Sequence, residues 1–270
     1  MPAVDLVVTD LDGTFWHTDD HLHERVLAAV AELARRGVPL LVATGRRVAS
    51  TRGPLATFGL APPAVVLNGA LGLDLATGER FHRAPYGQDE AIAVMAAFAS
   101  VGLQPVVYVD HPRWDAFLGP QASTNEAHVR MLGDTATVDD LTRVAAEEAV
   151  LGFGMIGVPF ADGEAAVGAV GDLAEVHLDR SIDFQEMASV TVAPRGQSKW
   201  DGVRAFCLLH GLHEDHVMAV ADGANDLELL DEAAVSVVPA VAHAEALARA
   251  DHVIGAAQDG GWADILDLLD

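Results

Sequence analysis

Short apolar runs alternate with amphipathic segments near the start of the chain. The run 4–9 is rich in β-branched residues and leads into the polar segment 10–14, which predicts a buried strand followed by a turn. Apolar residues then recur at helical spacing over 22–36. The runs 40–43 and 65–67 predict two more strands, with an Arg-rich helix between them. Strands that alternate with helices at this spacing indicate βαβ units and a parallel sheet.

The same pattern returns near the C-terminus. Residues 199–210 and 226–234 predict helices, and the runs 217–220, 235–238 and 252–254 predict strands. These strands carry no charged residue, as expected of strands that are covered on both faces. The two ends of the chain together predict an α/β fold, a doubly wound parallel-sheet core of Rossmann-like architecture.

The middle of the chain has a different character. Residues 84–186 contain 17 acidic and 4 basic residues and mix the two kinds of pattern. We interpret them as an inserted α+β cap domain that separates the two halves of the core, 1–83 and 187–270. Its helices and strands are predicted at 90–100, 104–109, 139–149, 151–157 and 163–173.

Composition limits the classes of partner. The chain has 270 residues, of which 51% are hydrophobic, and 16 basic against 40 acidic residues give a net charge of −24. Such a charge repels phosphate backbones and anionic lipid, so we expect neither nucleic acid nor a membrane as a partner. No apolar run approaches the ~18 residues that span a bilayer, and the start lacks a signal-peptide pattern. The lone Cys207, in an apolar run, favours a reducing compartment, and we expect a cytoplasmic protein.

Several acidic residues follow predicted strands. Asp10 and Asp12 are two residues apart, so on an extended chain their carboxylates share one side. Such a pair can serve as an acid/base pair, as metal ligands or as a polar loop cap. An EF-hand is excluded because Gly13 falls at the fourth loop position instead of the sixth. Thr44 and the pair Asp222/Asp226 also follow strands, and the carboxyl ends of parallel strands meet at one cleft.

Lys199 is the single lysine among 16 basic residues. A chain that otherwise uses arginine either keeps this ammonium for a chemical reason or retains one lysine by chance. The sequence alone leaves both explanations open.

Four motifs together resemble those of the haloacid dehalogenase superfamily. In order along the chain they are Asp10-Leu11-Asp12-Gly13-Thr14, Thr44-Gly45-Arg46, Lys199 and Asp222-Gly223-Ala224-Asn225-Asp226. The large insertion after the second motif, preceded by Asn68-Gly69-Ala70, resembles the Cof-type (IIB) branch of phosphatases. The resemblance involves both ends of the predicted core.

The resemblance implies a Mg²⁺-dependent phosphoryl-transfer site. Asp10 would attack phosphorus and form an aspartyl-phosphate, and Asp12 would protonate the leaving group and then activate water. Mg²⁺ would lie among the acidic residues of the first and fourth motifs, with Asp226 in a supporting position: Asp10, Asp12, Asp222 and Asp226. The phosphate oxygens would be held by four residues: Thr44, Gly45, Lys199 and Asn225.

Electrostatics independently favours this grouping. Two unit charges 4 Å apart repel by about 4 kcal/mol at an effective dielectric constant of 20, so carboxylates that meet a phosphate require concentrated positive charge. A divalent cation and one ammonium supply it, which would give the single lysine a purpose.

Two departures and two arginines add further expectations. Ala221 stands where the fourth motif usually opens with glycine, and an added methyl group fits there only if φ is negative. The segment 237–240 also departs from the family pattern. Arg46 and Arg130 are candidates for contacts with the leaving group, although a surface ion pair is the expected alternative for Arg130. Trp16 is expected to pack in the interior.

The chain therefore predicts an enzyme that hydrolyses a small phosphomonoester. The few basic residues of 84–186 favour a neutral, hydroxyl-rich leaving group such as a sugar. The alternatives are a phosphomutase on the same fold and a catalytically silent metabolite-binding protein, for which Ala221 is the support. The sequence does not indicate an oligomeric state.

Overall fold

The structure is a computed structural model that describes residues 3–17, 20–181, 184 and 186–269. The chain divides into two compact units. Unit 1 contains the described residues up to Arg46, from Ser50 to Arg83, and from Ser198 onward. Unit 2 contains Arg47–Ala49 and the described residues of 84–197.

Unit 1 is built around an eight-stranded sheet in the order β14-β13-β12-β1-β2-β3-β4-β5. The six strands from β14 to β3 are parallel, and β4 and β5 continue the sheet in antiparallel pairing. This arrangement confirms the predicted parallel-sheet core. The strands are β1 Leu6–Thr9, β2 Leu40–Ala43, β3 Pro63–Val66, β4 Leu71–Asp74, β5 Arg80–Arg83, β12 Val217–Val220, β13 Val235–Pro239 and β14 His252–Ile254.

Helices connect the parallel strands of unit 1. The first, Glu24–Arg36, begins where the His23 side chain accepts a hydrogen bond from the Arg25 amide and ends at Gly37. A 3₁₀ segment, Gly261–Leu268, follows the last strand. The α-helices are α1 Glu24–Arg36, α2 Val48–Thr57, α7 Lys199–His210, α8 Leu227–Glu232 and α9 Ala244–Leu247.

The core of unit 1 explains why α7 has a fixed place. Trp200, Val203 and Phe206 of α7 form one buried cluster with sheet residues that include Leu6 and Val8. Gly202 lets the helix approach the sheet, because a Cβ at that position would lie 2.5 Å from a methyl carbon of Val65. Burial of this apolar face therefore fixes the first residue of the helix, Lys199, relative to the strand ends.

Unit 2 contains a six-stranded sheet in the order β10-β11-β9-β6-β7-β8 with its own apolar core. Most of its pairs are antiparallel, and β7–β8 is parallel. The strands are β6 Val106–Val109, β7 Ala116–Leu118, β8 Ala136–Val138, β9 Val150–Val158, β10 Glu175–Arg180 and β11 Ala188–Ala193. The helices are α3 Gln88–Ser100, α4 Glu126–Leu132, α5 Leu141–Glu147 and α6 Phe160–Val170.

Two boundaries of unit 2 differ from the sequence interpretation. The expected second boundary, 186/187, falls before β11, whereas β11 pairs along its length with β9 and β10. The second boundary of the unit therefore lies at 197/198. The segment Arg47–Ala49 also belongs to unit 2 because Arg47 and the Ala49 amide bind Asp115.

None of the helices in the described part of the chain is long and apolar enough to cross a membrane.

Candidate active site

Three neighbouring parallel strands deliver polar residues to one edge of the unit 1 sheet. Strand β1 pairs with both β12 and β2, and Thr9 is in register with Val220 and Val42. Asp10, Asp222 and Thr44 follow the ends of these three strands within two residues. The strand register alone therefore places the first, second and fourth sequence motifs at the same edge.

Lys199 lies within this group. It is the first residue of α7, and its ammonium Nζ lies 2.7 Å from Asp10 Oδ1 and 2.6 Å from Asp226 Oδ1. The Lys199 side chain is 1% exposed and that of Asp226 is fully buried. Because Asp10 and Asp226 are more than 200 residues apart in the sequence, the ammonium joins two distant segments at one buried point.

The fourth motif forms a turn around Asp226. The second oxygen of the Asp226 carboxylate, Oδ2, accepts a hydrogen bond of 2.9 Å from the Gly223 amide. Asp222 Oδ1 accepts one of 2.7 Å from the Thr14 hydroxyl. Gly13 must be glycine, because its φ is +80° and a Cβ there would lie 2.4 Å from Asp222 Oδ2. The first and fourth motifs therefore pack directly against each other.

These carboxylates form a candidate cation site. Ligand oxygens of Asp10, Asp222 and Asp226 all lie within 4.8 Å of one another. An all-oxygen donor set of this charge suits a hard divalent cation such as Mg²⁺. Asp226 already uses one oxygen for Lys199 and the other for Gly223, so Asp10 and Asp222 have the freer oxygens.

The charges in this cluster do not balance. Burial raises the pKa of Asp10 well above its ordinary value, and repulsion from three other carboxylates raises it further against the opposing effect of Lys199. Burial likewise raises the pKa of Asp222 to about 6, although the Thr14 hydroxyl opposes the shift. Burial acts to lower the pKa of Lys199, but the Asp10 and Asp226 carboxylates outweigh it and raise that pKa. One ammonium is therefore too little positive charge for the ionised cluster.

Asp12 has a different cationic partner. Its carboxylate binds the guanidinium of Arg46, with Nε 2.6 Å from Oδ2 and Nη2 2.5 Å from Oδ1. Arg46 also binds Asp20, at 2.6 Å. Burial acts to lower the pKa of Arg46, but its bonds to Asp12 and Asp20 outweigh it and raise that pKa. The sequence interpretation considered Arg46 for a substrate contact, whereas the structure places it on Asp12.

Thr44 and Gly45 form the second motif at the end of β2. Thr44 is almost fully buried, and its hydroxyl oxygen accepts a hydrogen bond of 3.2 Å from the Arg46 amide. No hydrogen bond among the described residues uses that hydroxyl as a donor. A Cβ on Gly45 would lie 3.0 Å from Asn68 Oδ1 and 3.6 Å from Asn225 Nδ2. The Gly45 backbone therefore lies close against two amide side chains, with little room for a side chain of its own.

Asn68 is a site residue to which the sequence analysis gave no role. Its side-chain Oδ1 accepts a hydrogen bond of 2.9 Å from Asn225 Nδ2, and its backbone N–H donates to the Thr44 carbonyl. Leu67, Asn68 and Gly69 are three consecutive residues with positive φ: 51°, 53° and 106°. A leucine in this region is strained, and such strain clusters at functional sites. The Asn-Gly pair signals a turn in the sequence, but its nearness to Asn225 requires the fold.

The departure at Ala221 is accommodated. Ala221 is fully buried in the core cluster of unit 1, and its amide donates to the Val237 carbonyl. It is absent from the described non-glycine residues with positive φ, so its backbone conformation accommodates the methyl group. Its packing gives no support to an inactive site.

Arg130, the other candidate for leaving-group contacts, lies in unit 2. It is an exposed residue of α4, and no ion pair within the described residues includes it. The expected surface ion pair is therefore not formed there. Trp16 is fully buried, as expected, and its indole also donates to Asp12, at 3.2 Å.

Comparison with known proteins agrees with this geometry. The family model for haloacid dehalogenase-like hydrolases matches residues 7–266. A phosphoglycolate phosphatase of Methanopyrus kandleri is 26% identical over 264 residues, which cover 98% of this chain and 96% of that protein. A chloroplastic endoribonuclease YBEY of Arabidopsis thaliana is 25% identical over 98% of this chain, but this chain spans only 46% of that longer protein.

Solved structures share the fold across the whole chain. A Thermotoga maritima protein superposes with a TM-score of 0.82 at 18% identity, covering 99% of this chain and 98% of the other. A sugar phosphatase of haloacid dehalogenase subclass IIB superposes with a TM-score of 0.76 at 19% identity, covering 98% of both chains. The resemblance and the fold class expected from the sequence are confirmed, and this chain belongs to the haloacid dehalogenase-like hydrolase family.

Proposed function

We propose that this protein is a phosphatase that hydrolyses a small phosphomonoester, with a sugar phosphate as the favoured substrate. The observation that carries the proposal is the buried Lys199 ammonium, 2.7 Å from Asp10, in a cluster that has more carboxylates than cations. A nucleophilic carboxylate next to an ammonium suits attack on an anionic phosphate. The family, and the phosphatase names of its relatives, support the same reaction.

The acidic cluster fits Mg²⁺. Asp10, Asp222 and the backbone carbonyl of Asp12 would hold the ion, and Asp226 would orient Lys199 and the Gly223 turn beside it. When bound, Mg²⁺ would neutralise the carboxylates and withdraw electron density from the phosphate oxygens. A bound divalent cation would stabilise the ionised forms of Asp10 and Asp222 and would therefore lower their raised pKa values.

The protein side chains have distinct roles in this proposal. An Asp10 carboxylate oxygen attacks phosphorus while the bond from phosphorus to the ester oxygen breaks, and Asp12 gives that oxygen its proton. A water molecule then attacks the aspartyl-phosphate and passes a proton to Asp12 as phosphate leaves and Asp10 is restored. The Lys199 ammonium, the Thr44 hydroxyl and the Gly45 amide would hold phosphate oxygens during both steps.

Asn225 completes the proposed phosphate site. Asn68 Oδ1 holds its side-chain amide from one side, which fixes its position next to Gly45. A fixed amide can donate its remaining N–H to a phosphate oxygen without first losing rotational freedom.

The substrate class is argued from charge. The chain carries a net charge of −24, and region 84–186 has four arginines against 17 acidic residues, so a polyanionic substrate would be repelled as it approaches the protein. A neutral, hydroxyl-rich group such as a sugar avoids that repulsion.

The single Cys207 is buried and has no disulfide partner, which supports a reducing, cytoplasmic location.

The test is phosphate release from hexose 6-phosphates and 2-phosphoglycolate, with Mg²⁺ and with EDTA. We expect Mg²⁺-dependent release by the wild type, highest with a hexose phosphate, and a loss on the order of 10⁴-fold in Asp10→Asn. Asp231→Asn, the same change at an exposed residue of α8, is the matched control and should retain activity.

Other outcomes identify the alternatives. An isomerised sugar phosphate without free phosphate would show a phosphomutase. Equal background release by the wild type and Asp10→Asn would refute the enzyme and favour a metabolite-binding protein. Faster release from 2-phosphoglycolate than from every hexose phosphate would refute the sugar assignment but keep the phosphatase.

A further inference from the structure

Two cationic side chains of unit 1, Lys199 and Arg46, bind different sets of carboxylates. Lys199 binds Asp10 and Asp226, whereas Arg46 binds Asp12 and Asp20. Asp12 is therefore paired with a different cation from Asp10, although it follows Asp10 by only two residues. Without that cation, repulsion from Asp10 and Asp222 would drive the Asp12 carboxylate away from them.

The Asp12 carboxylate is held at both oxygens. Oδ1 accepts two hydrogen bonds, one from Arg46 Nη2 at 2.5 Å and one from the Trp16 indole at 3.2 Å. Oδ2 accepts one, from Arg46 Nε at 2.6 Å. A carboxylate oxygen can accept two, so Oδ2 retains a lone pair for a transferred proton while Oδ1 is saturated. This paired geometry fixes both the plane of the carboxylate and the oxygen that exchanges protons.

The guanidinium is itself fixed from several directions. Its Cζ lies 5.1 Å from the centroid of the buried Trp16 ring, and Nη1 donates to the Ser50 carbonyl at 3.1 Å. The Arg46 amide binds the Thr44 hydroxyl, and its carbonyl accepts from the Leu67 amide. Its main chain is thus held by the second motif and the Leu67 turn, and its side chain is held by the Asp12 loop.

The Asp12 loop is closed by backbone hydrogen bonds to Trp16, the residue that carries this indole. The Gly13 amide donates to the Trp16 carbonyl at 3.0 Å, and the Trp16 amide donates to the Leu11 carbonyl at 3.1 Å. Trp16 therefore gives the loop its shape, donates to Asp12 and provides the ring under Arg46.

We infer that Arg46, seated on Trp16, is a positioning residue that orients the Asp12 carboxylate for proton transfer at Oδ2. The inference rests on the proposed function. Asp12 then gives its proton to the ester oxygen as the bond from phosphorus breaks, and takes one from water as water attacks the aspartyl-phosphate. Arg46 acts through Asp12 in both directions and does not contact the leaving group.

Two substrates separate this role from a substrate contact. p-Nitrophenolate leaves without a proton, whereas the alkoxide of a hexose 6-phosphate needs one. In Arg46→Met we expect kcat/KM to fall about 100-fold for the hexose phosphate and to stay within about 3-fold for p-nitrophenyl phosphate. Hydrolysis of the aspartyl-phosphate still needs Asp12, so rapid mixing should show a burst of about one p-nitrophenolate per active site.

The controls keep the result specific. Arg25→Met removes an equal charge from an exposed ion pair with Asp264 and should leave kcat/KM unchanged for both substrates. Arg46→Lys keeps a positive charge without the two paired hydrogen bonds. Its kcat/KM should also fall more for the hexose phosphate than for p-nitrophenyl phosphate, but by less than in Arg46→Met. This variant replaces Arg46→Met if the latter does not fold. Adding Arg46→Met to Asp12→Asn should cause no further loss with the hexose phosphate.

The following results would overturn the inference. Equal falls in kcat/KM for both substrates would make Arg46 a phosphate contact or a general structural residue. Unchanged or raised activity toward the hexose phosphate would mean that Arg46 holds Asp12 in an unproductive orientation. An additional loss in the Asp12→Asn background would show that Arg46 acts elsewhere. Failure of the proposed function is distinct, because Asp10→Asn would then keep its turnover.

Discussion

Each unit buries a cationic side chain next to at least one carboxylate. These two centres, around Lys199 in unit 1 and Arg47 in unit 2, differ in charge balance. In unit 1, the Lys199 ammonium contacts the Asp10 and Asp226 carboxylates, and Asp222 adds a third to the cluster. In unit 2, the Arg47 guanidinium contacts the Asp115 carboxylate at 2.5 Å. Among the described residues it also donates to neutral acceptors, which include the Thr135 hydroxyl and the carbonyls of Met131 and Leu132.

Under the proposed function, this difference separates a structural ion pair in unit 2 from a reactive centre in unit 1. Asp115 also accepts a hydrogen bond from the Ala49 amide, so the Arg47 centre has partners for both charges and needs no ligand. The Lys199 centre has more negative than positive charge, and the pKa values of Asp10 and Asp222 are raised accordingly. A buried centre that remains short of positive charge is a candidate functional site, and it is where we propose that a cation binds.

The largest expected contrast comes from removing the unit 1 cation. Lys199→Met should lower kcat/KM for a hexose phosphate by about 10²–10³-fold, because no other ammonium can stabilise the charge that develops on the phosphate. Steady-state phosphate release measures this. Arg204→Met, at an exposed position of the same helix, should retain activity. Activity of Lys199→Met within 10-fold of the wild type would remove the central distinction between the two centres.

Removing the unit 2 cation should instead affect stability. Arg47→Met leaves Asp115 as a partly buried charge without its cation, so we expect the free energy of unfolding to fall by about 3 kcal/mol in urea titrations. Arg47→Met combined with Asp115→Leu should recover part of that loss, because the unpaired charge is then gone. Arg195→Met, in an exposed pair with Asp172, should leave the midpoint unchanged. An unaffected midpoint in Arg47→Met would show that the pair does not stabilise unit 2.

Acid should destabilise unit 2 through His128. Burial lowers the pKa of His128 to about 4, with a smaller contribution from Arg47, while the unfolded value is 6.5. A depressed histidine pKa contributes stability above pH 6.5 that is lost as the pH falls toward 4. At 1.36 kcal/mol per pKa unit, the loss approaches about 3 kcal/mol.

The variant His128→Gln isolates this contribution. Its free energy of unfolding should fall less than that of the wild type between pH 7 and pH 4.5. Asp222 acts with the opposite sign, because its pKa is raised to about 6 and its ionisation between pH 4 and 6 destabilises the fold. An equal acid response in the wild type and His128→Gln would contradict the assignment to His128.

The sequence supported prediction of the parallel-sheet core because its signals are local and periodic. Uncharged runs such as 217–220 favour buried strands, and α7 occupies the predicted range, Lys199–His210. The limits of unit 2 could not be predicted, because strand β11 takes its place from pairing with β9 and not from its own sequence. Sheet partners distant in sequence leave no local signal.

Side-chain partners were the hardest part to predict. Arg46 and Arg47 are adjacent, yet the first binds Asp12 in unit 1 and the second binds Asp115 in unit 2. Nothing in their local sequence distinguishes them, since each partner is set by the backbone direction after β2. Lys199 stood out because it is the single lysine, and its position is fixed by the apolar face of α7.

Calorimetric titration of Mg²⁺ into the EDTA-treated protein tests the charge-imbalance account most directly. We predict one bound ion per wild-type chain, binding at least about 10-fold weaker in Asp222→Asn, and binding unchanged in Asp115→Asn, where the ion pair of unit 2 is altered instead. A wild-type chain that binds no Mg²⁺, or an Asp222→Asn variant that binds it equally well, would contradict the account.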